Sequence, residues 1–290
     1  MNGILRLAKQ LLPENPSLVD VGAAKGEFTF GFLEAFPRAR TFLFEPTRAS
    51  VQHLTLRFAG NPLVRIFNCA LSDAEGVVSL NTFGQSENNS LLPSLFEEAV
   101  ASVDGTTVDT LDGVLGTIDK RPKVGLIKID TQGTDLRVLQ GARRTIENDQ
   151  PLILVETIFV PLYGGQDSYF DILSFMKSIH YELAGFYEAH ATPEGLLAFA
   201  DLLFIPAEVH KRLVAGHQLG TFNTLDADHL NRQIKVLEGI CAERLSLIER
   251  LQSAADERLA LIQELTRVAE ERLRVIESLD AELQKVKGGS

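Results

Sequence analysis

Apolar residues in the first two hundred positions gather into short runs: LVDVG (18–22), TFLFE (41–45), VRIFNCAL (64–71), VVSLN (77–81), GLIKID (125–130) and LILVET (152–157). Runs of this length, rich in Val, Ile and Phe and bounded by polar or turn-forming residues, predict buried strands. Between them, residues 26–36, 47–59, 134–147 and 168–180 carry apolar side chains at helical spacing, with Pro37, Gly60, Gly125 and Pro151 at the boundaries. Strands alternating with helices imply a parallel sheet covered on both faces. YELAGF (181–186) and LLAFADLLFIP (196–206) come last, joined by a polar stretch too short for a helix. They are expected to pair antiparallel.

Near residue 206 the pattern gives way to one dominated by Leu, Ile, Glu, Arg and Ala. Residues 1–206 therefore read as one α/β domain, 207–225 as a linker and 226–287 as a single long helix, with 288–290 a terminal Gly-Gly-Ser linker. The triplet Glu-Arg-Leu recurs at 243–245, 257–259 and 271–273. Its period of fourteen is two heptads, the repeat of a coiled coil. Such a helix would reach about 90 Å at 1.5 Å per residue, and its apolar stripe is expected to hold a homo-oligomer or to dock a partner helix.

Composition narrows the class. The 290 residues are 45% hydrophobic and 23% charged, an ordinary globular balance. The N-terminal stretch lacks the features of a secretory signal and no run of 18 apolar residues occurs, so a cytoplasmic protein is expected. Lys and Arg number 28 against 39 Asp and Glu, and the formal charge of -11 disfavours nucleic acid as a partner. Cys69 and Cys241 cannot build a disulfide framework or a cysteine metal site. The six histidines lack ligand spacing, so no metal is expected; His190, between the last two strands, reads as a base facing a pocket or as a solvated side chain.

The sharpest local signal is VDVGAAKG (19–26), where a strand opens through Gly22 and Gly26 into a helix. Glycines there let backbone approach a ligand closely. A dinucleotide loop would place three glycines at this crossing, whereas here there are two, preceded by Asp20. That carboxylate would repel a diphosphate but attract the ammonium of an amino-acid moiety such as that of S-adenosylmethionine. Glu45, ending the second strand before Pro46, is placed to accept two ribose hydroxyls. Ser72 and Asp73 stand beyond the third strand, at a height suited to adenine, although Asp73 also reads as a turn cap. Asp130 ends the fourth strand at the sheet's carboxyl edge, and Glu156 ends the fifth beside it. The pair could flank a substrate, or Glu156 could be a structural carboxylate. The polar stretch from Gln85 to Ser90, with Asn89, and the turn at Tyr163 are candidate parts of an acceptor site.

VDVGAAKG, FLFEP, NCALSD, NNSLL (88–92), VDTLD (108–112), IKIDTQGTDLRVLQGA and LILVE, in this order, resemble the FkbM-type methyltransferases over roughly residues 15–206. The resemblance implies a class I, Rossmann-like methyltransferase fold, a mostly parallel seven-stranded sheet with an antiparallel last strand. It also implies S-adenosyl-L-methionine as cofactor, with Asp20, Gly22 and Gly26 at its methionine end, Glu45 on the ribose, and Ser72 and Asp73 near adenine. One position departs from the family pattern Asp-x-Glu-Gly: Gln132 stands where the Glu is usual.

Methyl transfer from a sulfonium is an in-line displacement, so positioning supplies much of the rate. A hydroxyl acceptor on a sugar, glycan or secondary metabolite also needs a proton acceptor. Asp130 is the first candidate and Glu156 the second, with Gln132, Asn89 and Tyr163 as acceptor-binding candidates. Two other classes remain open: an inactive methyltransferase-like assembly protein working through its tail, and a nicotinamide-dependent oxidoreductase, which the two-glycine loop argues against.

Overall fold

The computed structural model describes residues 2–83, 89–96 and 98–215, with isolated positions 258, 267 and 272. Apart from those positions, the coiled coil expected over 226–287 lies outside the described residues, as do residues 288–290. The chain divides into two units, 1–221 and 222–290, and the α/β domain is the first of them.

In chain order the elements are α1 (Asn2–Leu11), β1 (Ser17–Val21), α2 (Glu27–Ala35), β2 (Arg40–Phe44), α3 (Arg48–Arg57), β3 (Val64–Phe67), β4 (Ala70–Leu71), β5 (Gly76–Thr82) and β6 (Ala101–Asp109). They continue with α4 (Leu111–Gly116), β7 (Leu126–Ile129), α5 (Asp135–Gly141), α6 (Arg143–Asp149), β8 (Leu152–Ile158), α7 (Tyr169–Ser178), β9 (Tyr181–Ala191), β10 (Leu197–Pro206) and α8 (Ala207–Ala215). The main sheet has seven strands in the order β3-β2-β1-β7-β8-β10-β9. β3, β2, β1, β7 and β8 run parallel, and β10 inserts antiparallel between β8 and β9. This is the strand arrangement of class I methyltransferases, and the hairpin expected at the end of the domain forms with Leu202 opposite Phe186.

The central strands are nearly continuous apolar runs because helices cover both faces. Leu18, Leu126 and Leu152 line up across β1, β7 and β8, Leu154 and Leu203 across β8 and β10, and they pack with Ile4, Ala8, Phe32 and Phe36 of α1 and of α2 and its end. Chain growth reverses between β1 and β7: β2 and β3 build outward on one side, β8 and its neighbours on the other. In open α/β sheets ligands bind at the carboxyl ends of the strands flanking such a switch point.

Four features differ from the sequence reading. VRIFNCAL is not one strand, because the chain leaves the main sheet at Asn68, whose Nδ2 donates to the Glu45 and Pro46 carbonyls (3.0 and 2.9 Å). VVSLN joins a separate three-stranded sheet, order β4-β6-β5, instead of the main one. Its partner β6 gave no strand signal since most of its residues are exposed. The helix expected over 134–147 breaks at Ala142 into α5 and α6. The stretch read as a linker begins with α8, whose Val209 and Leu213 pack against the core. Among the described residues no helix is long and apolar enough to cross a membrane.

Candidate active site

The loop after β1 turns through three left-handed residues, Gly22 (φ +72°), Ala24 (φ +45°) and Gly26 (φ +77°). Gly22 and Ala23 donate their N–H groups to the Phe44 carbonyl, which ties the loop to the end of β2. A Cβ on Gly22 would stand 1.9 Å from the backbone oxygen of Asp130, so only glycine allows β1 and β7 to close at this point. Gly26 serves packing: its Cβ position would meet Leu54 and Phe58 of α3 and its end, each at 2.8 Å.

Glu45 leaves β2 where Pro46 prevents further pairing, and its carboxylate is nearly sealed at 6% exposure. Oε2 accepts from Ala24 N (3.0 Å), and Oε1 from Thr47 N (2.9 Å) and Thr47 Oγ1 (2.7 Å). Burial pushes its pKa up, while these three donors pull it down. Glu45 lines a cavity of about 240 Å³ bounded by Val21–Ala24, Glu27, Phe28, Phe44–Pro46, Cys69–Leu71, Leu80, Asn89, Leu91, Lys128, Asp130, Thr131 and Thr134. It sits at the switch point, as the topology requires.

The β7 side of the cavity is a charge cluster. Lys128 and Asp130 alternate on one strand face, and Lys128 Nζ meets Asp130 Oδ2 at 2.9 Å. Gln132 Nε2 donates to Asp130 Oδ1 (2.9 Å) and to Glu156 Oε2 (2.6 Å). Gln132 Oε1 accepts the Tyr163 hydroxyl at 2.9 Å. The Asp130 side chain keeps 26% exposure toward the cavity. Burial opposes its charge, but the Lys128 ammonium together with the hydrogen bonds of Lys128, Glu156 and Gln132 outweighs that and holds Asp130 below the ordinary carboxylate range. Glu156 goes the other way: burial first, then the Asp130 charge, push its pKa far up. Burial tends to neutralise Lys128, yet Asp130 and Asp20 together raise its pKa further.

The structure gathers some expected site residues and separates others. Gly22, Glu45, Asn89 and Asp130 line the cavity; Gln132, Glu156 and Tyr163 form the layer behind Asp130. Asp20 does not line it. It lies within β1, 1% exposed, and its Oδ2 accepts from the Thr29 hydroxyl at 2.6 Å under α2. Ser72 and Asp73 are also absent from the lining. β4 carries them past the cavity toward α5, where a Cβ on Gly141 would stand 2.0 Å from the Ser72 carbonyl oxygen. Cys69, Ala70 and Leu71, just before Ser72, line the cavity instead. His190 belongs to β9 and stacks on Phe199 with ring centroids 4.5 Å apart, away from the cavity lining. Lys128 is the cavity-lining charged side chain the sequence reading missed, although its i, i+2 spacing from Asp130 on a strand already placed both on one face.

The sequence model of the family described as Methyltransferase FkbM domain matches residues 20–183, more than half of the chain. The chain belongs to the FkbM family of S-adenosylmethionine-dependent methyltransferases. "Methyltransferase sdnD" of Sordaria araneosa is 30% identical over 159 residues, which cover 45% of this chain and 61% of that relative. "Methyltransferase 1" of Beauveria bassiana is 22% identical over 190 residues, 59% of this chain and 74% of that one. The chain thus spans about three fifths of the first relative's length. Among solved structures, the methyltransferase FkbM of Methylobacillus flagellatus KT aligns with a TM-score of 0.45 at 20% identity, covering 67% of this chain and 45% of that one.

Proposed function

We propose that this chain transfers a methyl group from S-adenosyl-L-methionine to a hydroxyl oxygen of a sugar, glycan or secondary metabolite. The observation that carries the reading is one cavity in which two of the three lining carboxylates have opposite character: Glu45, nearly sealed and held mostly by backbone, and Asp130, paired with Lys128 and facing the space. The cofactor supplies an electrophilic methyl group on a sulfonium.

The residues present fit such a ligand. Of the roughly four acceptor positions of a carboxylate, Glu45 commits three to the protein, leaving one on Oε2 for a ribose hydroxyl in place of the two bonds first expected. Phe44, Ala70, Leu71 and Leu80 give apolar walls for a flat base, and Cys69 adds a thiol whose burial pushes its pKa to about 11, keeping it neutral. Lys128 presents a positive charge with which the carboxylate of an amino-acid end can pair. An alcohol remains protonated at neutral pH and is a weak nucleophile, so it needs a proton acceptor as it attacks. Asp130 has the required state and exposure, and Glu156, protonated, does not.

The test is calorimetry of the full chain with S-adenosylhomocysteine, followed by a methyl-transfer screen over hydroxylated acceptors. Glu45→Ala is expected to weaken binding by about 10- to 150-fold, the value of a lost charge-assisted hydrogen bond. Unchanged affinity in that variant removes Glu45 from the cofactor site, and absence of binding in the parent removes the cofactor.

A further inference from the structure

Gln132 occupies the position where the family pattern carries Glu, and its surroundings show what the amide does that a carboxylate cannot. A primary amide has two N–H donors and one carbonyl acceptor. Both N–H groups of Gln132 face carboxyl oxygens, one of Asp130 and one of Glu156, while its carbonyl receives the Tyr163 hydroxyl. Reversing the amide would set its oxygen against two acceptors and leave the Tyr163 hydroxyl facing N–H. Tyr163 therefore fixes the orientation in which both donors point at the pair.

The backbone is bent to deliver this side chain. Gln132 is left-handed at φ +54°, a conformation non-glycine residues seldom adopt, and Gly133 follows at φ +101°. The Ser90 hydroxyl bonds to the Gln132 carbonyl at 2.7 Å, and Asp167 N to the Gly133 carbonyl at 2.8 Å. A strained residue held from both sides, with its side chain bridging two strands, marks a position whose geometry is over-determined by its neighbours.

We propose that Gln132 is a positioning residue, an amide clamp oriented by Tyr163, that holds Asp130 and Glu156 as a pair sharing one proton with the charge on Asp130. This deepens the proposed function and rests on its reading of Asp130 as the proton acceptor. The amide donates to both partners, so it closes the pair without choosing between them. Lys128 makes the choice, because its ammonium touches Asp130 alone of the two. The other ionisable groups acting on the cluster are carboxyls: Asp20 from β1, Asp135 at the start of α5 and Asp201 opposite Glu156 on β10. All of them disfavour a second charge on the pair. A Glu at 132 could still accept the Tyr163 hydroxyl, but its second oxygen would face Asp130 and Glu156 in place of the amide donors, and this third carboxyl would have to bind a proton as well.

Infrared spectra of the full chain at neutral pH read the carbonyl stretch of a protonated carboxyl group directly, with neither acceptor nor cofactor present. The difference between the parent and Glu156→Gln is expected to show the loss of one such band. Gln132→Glu is expected to gain one, and Tyr163→Phe to shift the Glu156 band while keeping its intensity, since the clamp stays but its orientation is released. No band lost in Glu156→Gln, or none gained in Gln132→Glu, overturns the shared-proton pair. If Gln132→Glu does not fold, an unshifted band in Tyr163→Phe overturns the clamp. A merely structural glutamine would change stability but not the number of protonated carboxyls. Calorimetry with S-adenosylhomocysteine on the same parent keeps the two readings apart: intact cofactor binding without the band defeats the clamp alone, and the band without cofactor binding defeats the cofactor reading alone.

Discussion

The two halves of the cavity are built by different physics. On the β1–β2 side the shape comes from backbone: left-handed residues wrap the loop, two N–H groups of that loop are taken by the Phe44 carbonyl, and Glu45 is satisfied mostly by neighbours near in sequence or on the adjoining loop. On the β7–β8 side it comes from side chains titrating against one another, with Lys128, Asp130, Gln132 and Glu156 in one hydrogen-bonded group. The first half can hold a ligand without changing protonation. The second is a buried group of opposing charges, and its state depends on every charge near it. The halves touch where Gly22 lies against the Asp130 carbonyl, so the rigid side also sets the position of the reactive one.

That division can be broken from either side. Asp130→Asn keeps the shape and removes the charge. Turnover on an acceptor found by the screen is expected to fall by roughly 10²- to 10⁴-fold, the usual worth of a general base, while S-adenosylhomocysteine affinity changes little. A variant that loses both in parallel would show that the β7 side binds cofactor more than it handles protons.

Gly22→Ala strikes the contact between the halves. Its Cβ would overlap the Asp130 carbonyl oxygen at a backbone angle that L residues avoid, and the cost is expected to reach about 3 kcal/mol. Gly165→Ala is the control: its φ is also positive at +78°, but nothing lies within 4 Å of the added Cβ, so roughly 1 kcal/mol is expected. Chemical denaturation of both variants measures the difference. Equal losses would mean that strand closure at Gly22 relaxes without consequence.

The smallest effect sharpens the electrostatic side. Asp135 accepts from Thr131 N, Thr131 Oγ1 and Gly133 N, yet burial outweighs these bonds and pushes its pKa from 3.8 to about 7. The folded chain then binds this proton more tightly than the unfolded chain does. Its contribution to stability is full below the unfolded value and declines as pH rises through the interval up to about 7. Denaturation midpoints measured across that interval are expected to fall less steeply in Asp135→Asn than in the parent. An identical slope would show that the Asp135 hydrogen bonds, not its burial, set its charge.

What was legible in the sequence was local. Strands covered on both faces are apolar throughout, so β1, β2, β7 and β8 stood out, and a strand, a glycine turn and a helix in succession gave the ligand loop. Glu45 followed from Pro46, which ends a strand wherever the sheet lies. The second sheet was not legible as such, since β6 is mostly exposed and lacks the alternation a half-buried strand would show. Nor did the break after β3 show, because it depends on an Asn68 amide reaching backbone carbonyls more than twenty residues away.

The candidate site divides the same way. Residue type and strand position placed Asp130 and Glu156 side by side, although Glu156 lies within β8, which runs on to Ile158, and not at its end as expected; Gln132 was visible as a departure from the family pattern. The fate of Asp20 was decided by tertiary structure, because a side chain inside a strand points to whichever helix covers that face, here α2 with Thr29. The difference between Asp130 and Glu156 was decided there too. Two carboxyls of similar intrinsic acidity are separated only by what surrounds them: Lys128 stands two residues from Asp130 on one strand, but the burial of Glu156 and the pairing of β7 with β8 that sets it beside Asp130 are facts of packing that no single stretch of sequence contains.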